Sequence, residues 1–221
     1  MDYDNDKVSI IIPTYNRYDF LLRAVESVNS QTHTNKELII VDDCSTDPRY
    51  TTDLQNDIAK ICTTVPVTIK RLPVNLKEIH NTPHYSCACQ GLTRNEGIYI
   101  ARGEWLAFLD DDDYWIDPDK LSKQLQAMKE NNAQFCTTNM INKHGIHNKP
   151  PETKFITDIT HWNSIATSTV VIRTDLIKQV GLFRHVPNED ADCWKKVLNI
   201  TPCLFLDINT TYYTLDNPKY Y

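Results

Sequence analysis

Apolar runs alternate with amphipathic segments through the first 140 residues of the chain. The run KVSIIIPTY (7–15) is rich in β-branched residues and is interrupted by Pro13, which predicts a buried strand followed by a loop. Four further runs have the same character: KELIIVDD (36–43), VTIKRL (67–72), EWLAFLDD (104–111) and AQFCTTN (133–139). This part of the chain therefore supplies five predicted strands.

Amphipathic helices are predicted between these strands. Three of them cover residues 18–31, 46–62 and 91–103. Gly103 is expected to end the third helix, because glycine is common just after a helix C-terminus. Asp117 and Pro118 predict the N-cap and first turn of a fourth helix, which carries apolar residues over 121–128.

Strands that alternate with helices favour an α/β fold, with a mostly parallel sheet and helices on both faces. After residue 140 the pattern changes. Residues 141–157 are polar and predict a loop, 166–183 predict a strand and a short helix, and 188–200 predict a helix. A closing pair of strands is expected from the segments 202–208 and 210–215.

Composition narrows the possible partners. A chain of 221 residues fits one domain, and a net charge of -6 argues against a nucleic-acid-binding surface. No apolar run reaches the roughly 20 residues of a membrane span, and the polar start is unlike a signal peptide. The seven cysteines lack the spacing of a disulfide framework, so we expect reduced thiols and a cytoplasmic location.

Polar side chains follow three of the predicted strands. The segments are Thr14–Arg17, Asp42–Asp43 and Asp110–Asp113. Ligands of such sheets bind beyond the carboxyl ends of the strands, so we expect these groups to share one crevice. Four adjacent carboxylates resist ionising together, which calls for a metal ion, a cationic ligand or solvation in a loop. The chain has no glycine-rich phosphate loop.

Several ordered motifs carry a resemblance to a known family. They are VSIIIPTYNR, ELIIVDDCSTD, GLTRNEGIYIARGEWLAFLDDDD, TSTVVIRTDLIKQVGLF and NEDADCW, and they cover nearly all of residues 7–200. In this order they resemble the inverting family 2 glycosyltransferases of the GT-A fold. The resemblance implies a single domain with a Rossmann-like sheet, a nucleotide-sugar-binding half (1–113) and a small acceptor-side half (114–221).

The resemblance also implies roles for individual residues of the donor site. The implied nucleotide-sugar contacts are Pro13, Thr14, Tyr15, Arg17, Asp43, Arg94, Asp110 and Asp111. Tyr15 would lie near the base, and Asp43, rather than Asp42, would accept a hydrogen bond from a uracil N–H. Arg17 and Arg94 would approach the ribose or diphosphate.

Metal and acceptor roles follow from the same resemblance. Asp110 and Asp112 match the acids of the D-x-D motif, and Asp112 would bind Mn²⁺ or Mg²⁺ directly, since both are hard cations that prefer oxygen ligands. Asp111 and Asp113 would lie behind the metal ligands or face solvent. Asp190 matches the general base, with Glu189 as the runner-up.

The implied reaction is metal-dependent, inverting transfer of one sugar from a nucleoside-diphosphate sugar, expected to be a UDP-sugar, to a hydroxyl of a glycan or another acceptor. The Q-x-x-R-W motif of processive relatives is absent, and no His follows the last predicted helix to join a metal site. A nucleotidyltransferase and a non-catalytic nucleotide-sugar-binding domain are the alternatives.

Simpler interpretations of the same residues also stand. The acid run is alternatively a solvated turn, Asp42 and Asp43 are alternatively helix caps, and Tyr15 is an ordinary half-buried aromatic residue. Asp190 is alternatively an acid favoured by a helix dipole. Trp194 is either a core residue or a wall of the acceptor pocket.

Overall fold

The computed structural model describes residues 4–80, 88–146, 148, 153–159 and 165–214. Its strands are β1 (Asp4–Thr14), β2 (Lys36–Asp42), β3 (Val67–Arg71), β4 (Gly103–Phe108), β5 (Tyr114–Trp115), β6 (Phe135–Asn142), β7 (Gly145–Ile146), β8 (Phe155–Ile156), β9 (Val171–Arg173) and β10 (Cys203–Tyr212). Its helices are α1 (Tyr18–Asn29), α2 (Arg49–Thr52), α3 (Leu54–Ile61), α4 (Leu76–His80), α5 (Ala88–Ile100), α6 (Lys120–Glu130), α7 (Thr174–Gln179) and α8 (Glu189–Leu198), with one 3₁₀ turn at Thr167–Thr169.

The strands form one sheet in the order β3-β2-β1-β4-β9-β6-β10-β5, with β7 beside β6 and β8 beside β10. Strands β3, β2, β1 and β4 run parallel, as do β6 and β10. Strand β9 lies antiparallel between β4 and β6. The predicted α/β fold with a mostly parallel sheet is therefore confirmed, and β9 joins the later part of the chain to the sheet begun by the first part.

Two apolar clusters lie on opposite faces of this sheet. In β1, Ile10 and Ile12 belong to one cluster with Leu21 of α1, while Ile11 belongs to the other with Ile98 of α5. Successive side chains of a strand point to opposite faces, so an unbroken apolar strand requires helices on both. No helix within the described ranges is both long and apolar enough to cross a bilayer.

Several predicted boundaries in the first half were wrong. The helix expected over 46–62 is divided into α2 and α3, and α4 was not predicted. Gly103 does not end α5 but begins β4, where a Cβ atom would lie 2.5 Å from the carbonyl oxygen of Lys7. Asp117 is not the N-cap of α6: Asp119 holds that position, and its N–H donates to the Asp117 carboxylate.

The later part of the chain also differs from the prediction. The expected loop 141–157 contains β7, which pairs with the end of β6 at Ile141 and Asn142, and β8, which pairs with the start of β10 at Cys203 and Leu204. The two closing strands expected from 202–208 and 210–215 are the single strand β10. Register shifts around Asn209 absorb the break in apolar alternation, so β10 stays paired with β6 along its length.

Candidate active site

The carboxyl ends of β1, β2 and β4 meet at one edge of the sheet, because the three strands are parallel neighbours. The N–H of Asp43 donates to the carbonyl of Thr14 at 2.9 Å, and the N–H of Leu109 donates to Ile11 at 3.1 Å. The structure thus brings together the three polar segments that the sequence placed in one crevice.

Two arginines neutralise the acid run that follows β4. The Arg17 guanidinium donates to both Asp111 and Asp112 at 2.8 Å, and the Arg94 guanidinium donates to Asp110 at 2.5 Å. Both arginines were expected near the ribose or diphosphate, and the structure places their guanidinium groups on the acids. The positive charge that the acid run requires is therefore supplied by residues distant in sequence.

The second and fourth acids of the run are buried. Asp111 is 4% exposed and Asp113 is 2% exposed, so neither faces solvent. Burial raises the pKa of Asp111 to about 7, opposed by the charge of Arg17. The pKa of Asp113 is raised well above its usual value by burial and by the neighbouring acids, although its carboxylate accepts a hydrogen bond from Ser168 at 2.7 Å. The interpretation of this segment as a solvated turn is wrong for these two residues.

The 3₁₀ turn at Thr167–Thr169 fixes the acid run from the other side. Ser168 Oγ donates to Asp113 and accepts the N–H of Asp110 at 3.1 Å. Thr167 Oγ1 donates to Asp190 at 3.4 Å. This turn lies within the motif TSTVVIRTDLIKQVGLF, but no local sequence pattern indicated its contacts with the acids.

The two acids after β2 have different surroundings. Asp42 forms an ion pair with Arg71 and accepts the N–H of Ser45 at 2.9 Å. Asp43 accepts the N–H of Leu76, the first residue of α4, at 2.9 Å, and does not cap α2, the next helix in the sequence, whose N-cap is Pro48. Burial raises the pKa of Asp43 to about 6.

The loop after β1 is organised by Tyr50, a residue that sequence reasoning missed. Its hydroxyl lies 2.7 Å from Thr14 Oγ1 and accepts the N–H of Arg17 at 3.1 Å. Pro13 is buried in β1, whereas Tyr15 is 37% exposed at the mouth of the crevice. Nothing in the local pattern around Tyr50 pointed to this contact, because it joins segments more than thirty residues apart.

Glu189 and Asp190 begin α8 but have different surroundings. Glu189 is 3% exposed and accepts a hydrogen bond from Arg94 at 3.0 Å. Burial raises its pKa to about 6, and the charge of Arg94 opposes this rise. Asp190 is half-buried and contacts Thr167. Of the two acids, Asp190 is the more open to the crevice.

Trp194 is a core residue rather than a wall of a pocket. Its side chain is completely buried. Its ring packs against Phe135 and Phe183 at centroid distances of 5.4 Å, and against Phe108 at 6.0 Å. This aromatic cluster holds α8 against the sheet.

The side chains of Asp110 and Asp112 are 27% and 17% exposed, and both offer hard oxygen ligands of the kind that Mn²⁺ or Mg²⁺ prefers. One oxygen of Asp111 is buried without a hydrogen-bond partner. Among the described residues no group of three or more His, Cys, Asp or Glu side chains forms a ready metal site. The carboxylate oxygens of Asp110 and Asp112 fit a divalent cation. Such a cation would share the two acids with Arg17 and Arg94 or would replace the arginines.

A family model described as glycosyl transferase family 2 matches residues 9–81 and 90–186. The match includes the three strand ends and stops before Glu189 and Asp190. Matches to individual proteins cover a larger share of the chain. The chain is 34% identical over 197 residues to the UDP-Glc:alpha-D-GlcNAc-diphosphoundecaprenol beta-1,3-glucosyltransferase WfaP of Escherichia coli. This alignment covers 87% of this chain and 70% of WfaP.

A second relative has a similar name. The chain is 32% identical over 199 residues to the beta-1,3-glucosyltransferase WfgD of Escherichia coli, whose name gives the same donor and acceptor as that of WfaP. This alignment covers 88% of this chain and 71% of WfgD. Among solved structures, S. aureus TarS 1–349 superposes with a TM-score of 0.72 at 25% identity, covering 94% of this chain and 60% of TarS 1–349. These matches confirm the predicted GT-A fold and the predicted enzyme class: the chain is a glycosyltransferase and belongs to glycosyl transferase family 2.

Proposed function

We propose that this protein transfers one sugar from a UDP-sugar to a hydroxyl of an acceptor glycan, with inversion at the anomeric carbon and with help from a divalent cation. The observation that supports it most is the meeting of three polar strand ends, two of which carry acids, with Arg17 and Arg94 at one edge of the sheet. The name of WfaP gives UDP-Glc as the donor of that relative and a beta linkage as its product.

The nucleotide would bind to residues of the first half, 1–113. Thr14 and the exposed ring of Tyr15 lie beside Asp43 at adjacent strand ends, a suitable place for a nucleoside. One oxygen of Asp43 accepts the N–H of Leu76, and its other oxygen would accept the base N–H. A carboxylate acceptor favours uracil, which presents an N–H at its pairing edge.

Asp110 and Asp112 would hold the cation, with Asp112 as the direct ligand. When bound, a divalent cation supplies Lewis-acid stabilisation of the charge that develops on the leaving diphosphate. Arg17 forms an ion pair with Asp112, and Arg94 forms one with Asp110, so the arginines hold these two acids in place at the edge of the sheet. Their guanidinium groups are also near enough to the acids to contribute positive charge to the diphosphate site.

Asp190 would accept the proton of the acceptor hydroxyl. The 3₁₀ turn contacts Asp190 through Thr167 and contacts Asp113 of the acid run through Ser168. Asp190 and the acid run, which come from different segments, would therefore border the same crevice. Inversion requires the base and the leaving group on opposite faces of the sugar, and an acid from the acceptor-side half, 114–221, meets that requirement. A positioned carboxylate of this kind typically accelerates proton removal by about 10²–10⁴.

The two other activities have less support. A nucleotidyltransferase would release pyrophosphate, and its usual glycine-rich basic loop is not found in the sequence. A non-catalytic binder would hold the nucleotide sugar without turnover. The cytoplasm is our proposed location, because the seven cysteines of the sequence lack the spacing of a disulfide framework.

The test is UDP binding by calorimetry with and without Mn²⁺. We expect Mn²⁺ to tighten UDP binding to the wild-type protein and the Asp112→Ala variant to lose that tightening. An Asp119→Ala variant, which removes an acid that bonds Thr32 on the surface, should behave as wild type. Equal UDP affinity with and without Mn²⁺ or Mg²⁺ in the wild type would refute metal dependence, and pyrophosphate among the products would refute sugar transfer.

A further inference from the structure

Arg94 binds one carboxylate from each half of the chain. Its side chain is 2% exposed. One terminal nitrogen donates to Asp110 Oδ1 at 2.5 Å and the other donates to Glu189 Oε1 at 3.0 Å. The guanidinium therefore links an acid of the proposed metal site to the start of α8.

Neighbouring contacts hold this link in place. The guanidinium carbon of Arg94 lies 5.5 Å from the centroid of the Phe183 ring. The next residue, Asn95, donates to the carbonyl of Phe183 at 2.8 Å and accepts its N–H at 3.1 Å. The Nε atom of Arg94 is buried without a partner, so the two carboxylates determine how the guanidinium is oriented.

Glu189 has little room to leave Arg94. It packs against α5, where a Cβ atom on Gly91 would lie only 2.6 Å from Glu189 Cγ. A real side chain at position 91 would therefore displace Glu189. The adjacent Asp190, by contrast, is half-buried and borders the crevice. The geometry thus directs the Glu189 carboxylate to Arg94 rather than to an acceptor.

We infer that Glu189 is a positioning residue that shares Arg94 with Asp110 and so keeps Asp110 available to the divalent cation. This inference rests on the proposed metal-dependent function. One guanidinium divides its attraction between two carboxylates, and the interaction is strong because Arg94 is removed from water. Without the charge of Glu189, Arg94 would bind Asp110 alone, and Asp110 would bind a cation less readily.

The test measures Mn²⁺ binding directly, by electron paramagnetic resonance of free Mn²⁺ in the presence of saturating UDP. The Glu189→Gln variant should bind Mn²⁺ about tenfold more weakly, within the usual range of coupling between sites. Its kcat should return to near the wild-type value at saturating Mn²⁺. The control is Asp192→Asn, which removes an acid of the same helix turn that pairs with Arg184, and its Mn²⁺ affinity should be unchanged.

A second variant covers the case in which Glu189→Gln does not fold. Glu189→Asp keeps the charge but shortens the reach of the carboxylate to Arg94, so the Mn²⁺ affinity of this variant should fall by less than tenfold. Its kcat should also return to near the wild-type value at saturating Mn²⁺. An unchanged Mn²⁺ affinity in whichever variant folds overturns the inference. So does a kcat that stays a hundredfold low at saturating Mn²⁺, because that result assigns the proton-accepting role to Glu189.

The wild-type measurement separates this inference from the function on which it rests. If the wild-type protein with UDP binds no Mn²⁺, the metal-dependent function is refuted, and the inference falls with it. If the wild type binds Mn²⁺ and the folded Glu189 variants bind it equally well, only the inference is refuted.

Discussion

Arg94 and Lys120 are both completely buried cations, but their surroundings have little in common. Arg94 binds two carboxylates that lie 16 and 95 residues away in sequence, and their charges raise its pKa despite burial. Lys120 donates to Gln124, one helical turn away, at 2.7 Å, and its amine lies 4.4 Å from the centroid of the Trp115 ring. Burial lowers the pKa of Lys120 to about 7.

The difference shows that burial of a charge does not by itself indicate a functional site. The partners of Lys120 are an amide and an aromatic ring, which support α6 and β5 locally. The partners of Arg94 come from the end of β4 and the start of α8, so its ion pairs bring two halves of the candidate site together. We therefore expect changes around Arg94 to affect activity as well as stability, and changes at Lys120 to affect stability alone.

The largest effect is expected from Asp190→Asn. Loss of the proton-accepting carboxylate should lower kcat by about 10²–10⁴ while UDP and Mn²⁺ affinities stay near wild type. Steady-state kinetics with calorimetry measures both quantities, and Asp192→Asn serves as the control on the same helix. If Asp190→Asn turns over normally, the proton acceptor is not Asp190, and the proposed role for α8 is wrong.

The next effect compares the two buried cations directly. Arg94→Met leaves the charges of Asp110 and Glu189 without their shared partner, so the free energy of unfolding should fall by about 3–5 kcal/mol. Lys120→Met removes the cost of burying an amine but leaves the side-chain oxygen of Gln124 without its hydrogen-bond donor. These two effects have opposite signs, so the free energy of unfolding should change by less than about 2 kcal/mol. Urea unfolding at pH 7 measures both. A larger loss for Lys120→Met than for Arg94→Met would reverse the comparison.

A smaller effect is expected for the proposed base-reading acid. Asp43→Ala should weaken UDP binding by about 1–3 kcal/mol, the range for loss of a hydrogen bond to a charged group. The pKa of Asp43 is about 6, so wild-type affinity for UDP should fall as the pH drops below 6 and the carboxylate takes up a proton. Asp43→Asn keeps an oxygen for the N–H of Leu76 and should bind UDP without this pH dependence. Tighter binding of GDP than UDP by the wild type would contradict the assignment.

The sequence predicted the strands of the nucleotide-sugar-binding half, 1–113, and their polar ends well, because those signals are local. The polar side chains that follow three apolar runs, at 14–17, 42–43 and 110–113, predicted a crevice at one edge of the sheet. The sequence could not predict which cations pair with the acids of the site, since Arg17 lies 94 residues before Asp111 and Arg94 lies 95 residues before Glu189. Such pairings depend on strand order and helix packing.

Errors were concentrated where tertiary contacts override local preference. Gly103 resembles a helix stop in sequence, but its lack of a side chain serves the close approach of β4 to β1. Strand β10 was divided in the prediction at Asn209, where the register with β6 shifts, whereas the structure continues the strand through this residue. The role of Ser168 depends likewise on a contact 55 residues away, with Asp113.

The smallest effect concerns the pH dependence of stability at Lys120. Its folded-state pKa of about 7 lies below the value of about 10.4 for an unfolded chain. Below pH 7 both states carry the proton, and the folded state bears the full cost of the buried ammonium group. Above pH 7 the folded state releases the proton while the unfolded state keeps it, so the free energy of unfolding should rise by about 1 kcal/mol between pH 7 and 8.

This rise should disappear in Lys120→Met. It should persist in Lys123→Met, which removes an exposed amine of the same helix that pairs with Asp117 in the wild type. Urea unfolding of the wild type and both variants at pH 6, 7, 8 and 9 gives the three slopes. Other groups titrate over this range, but they are common to all three proteins, so the difference between slopes isolates Lys120. Parallel slopes for the wild type and Lys120→Met would mean that this amine keeps its proton in the folded state. Burial would then perturb Lys120 no more than Arg94, and the contrast between the two cations would lie in their partners alone.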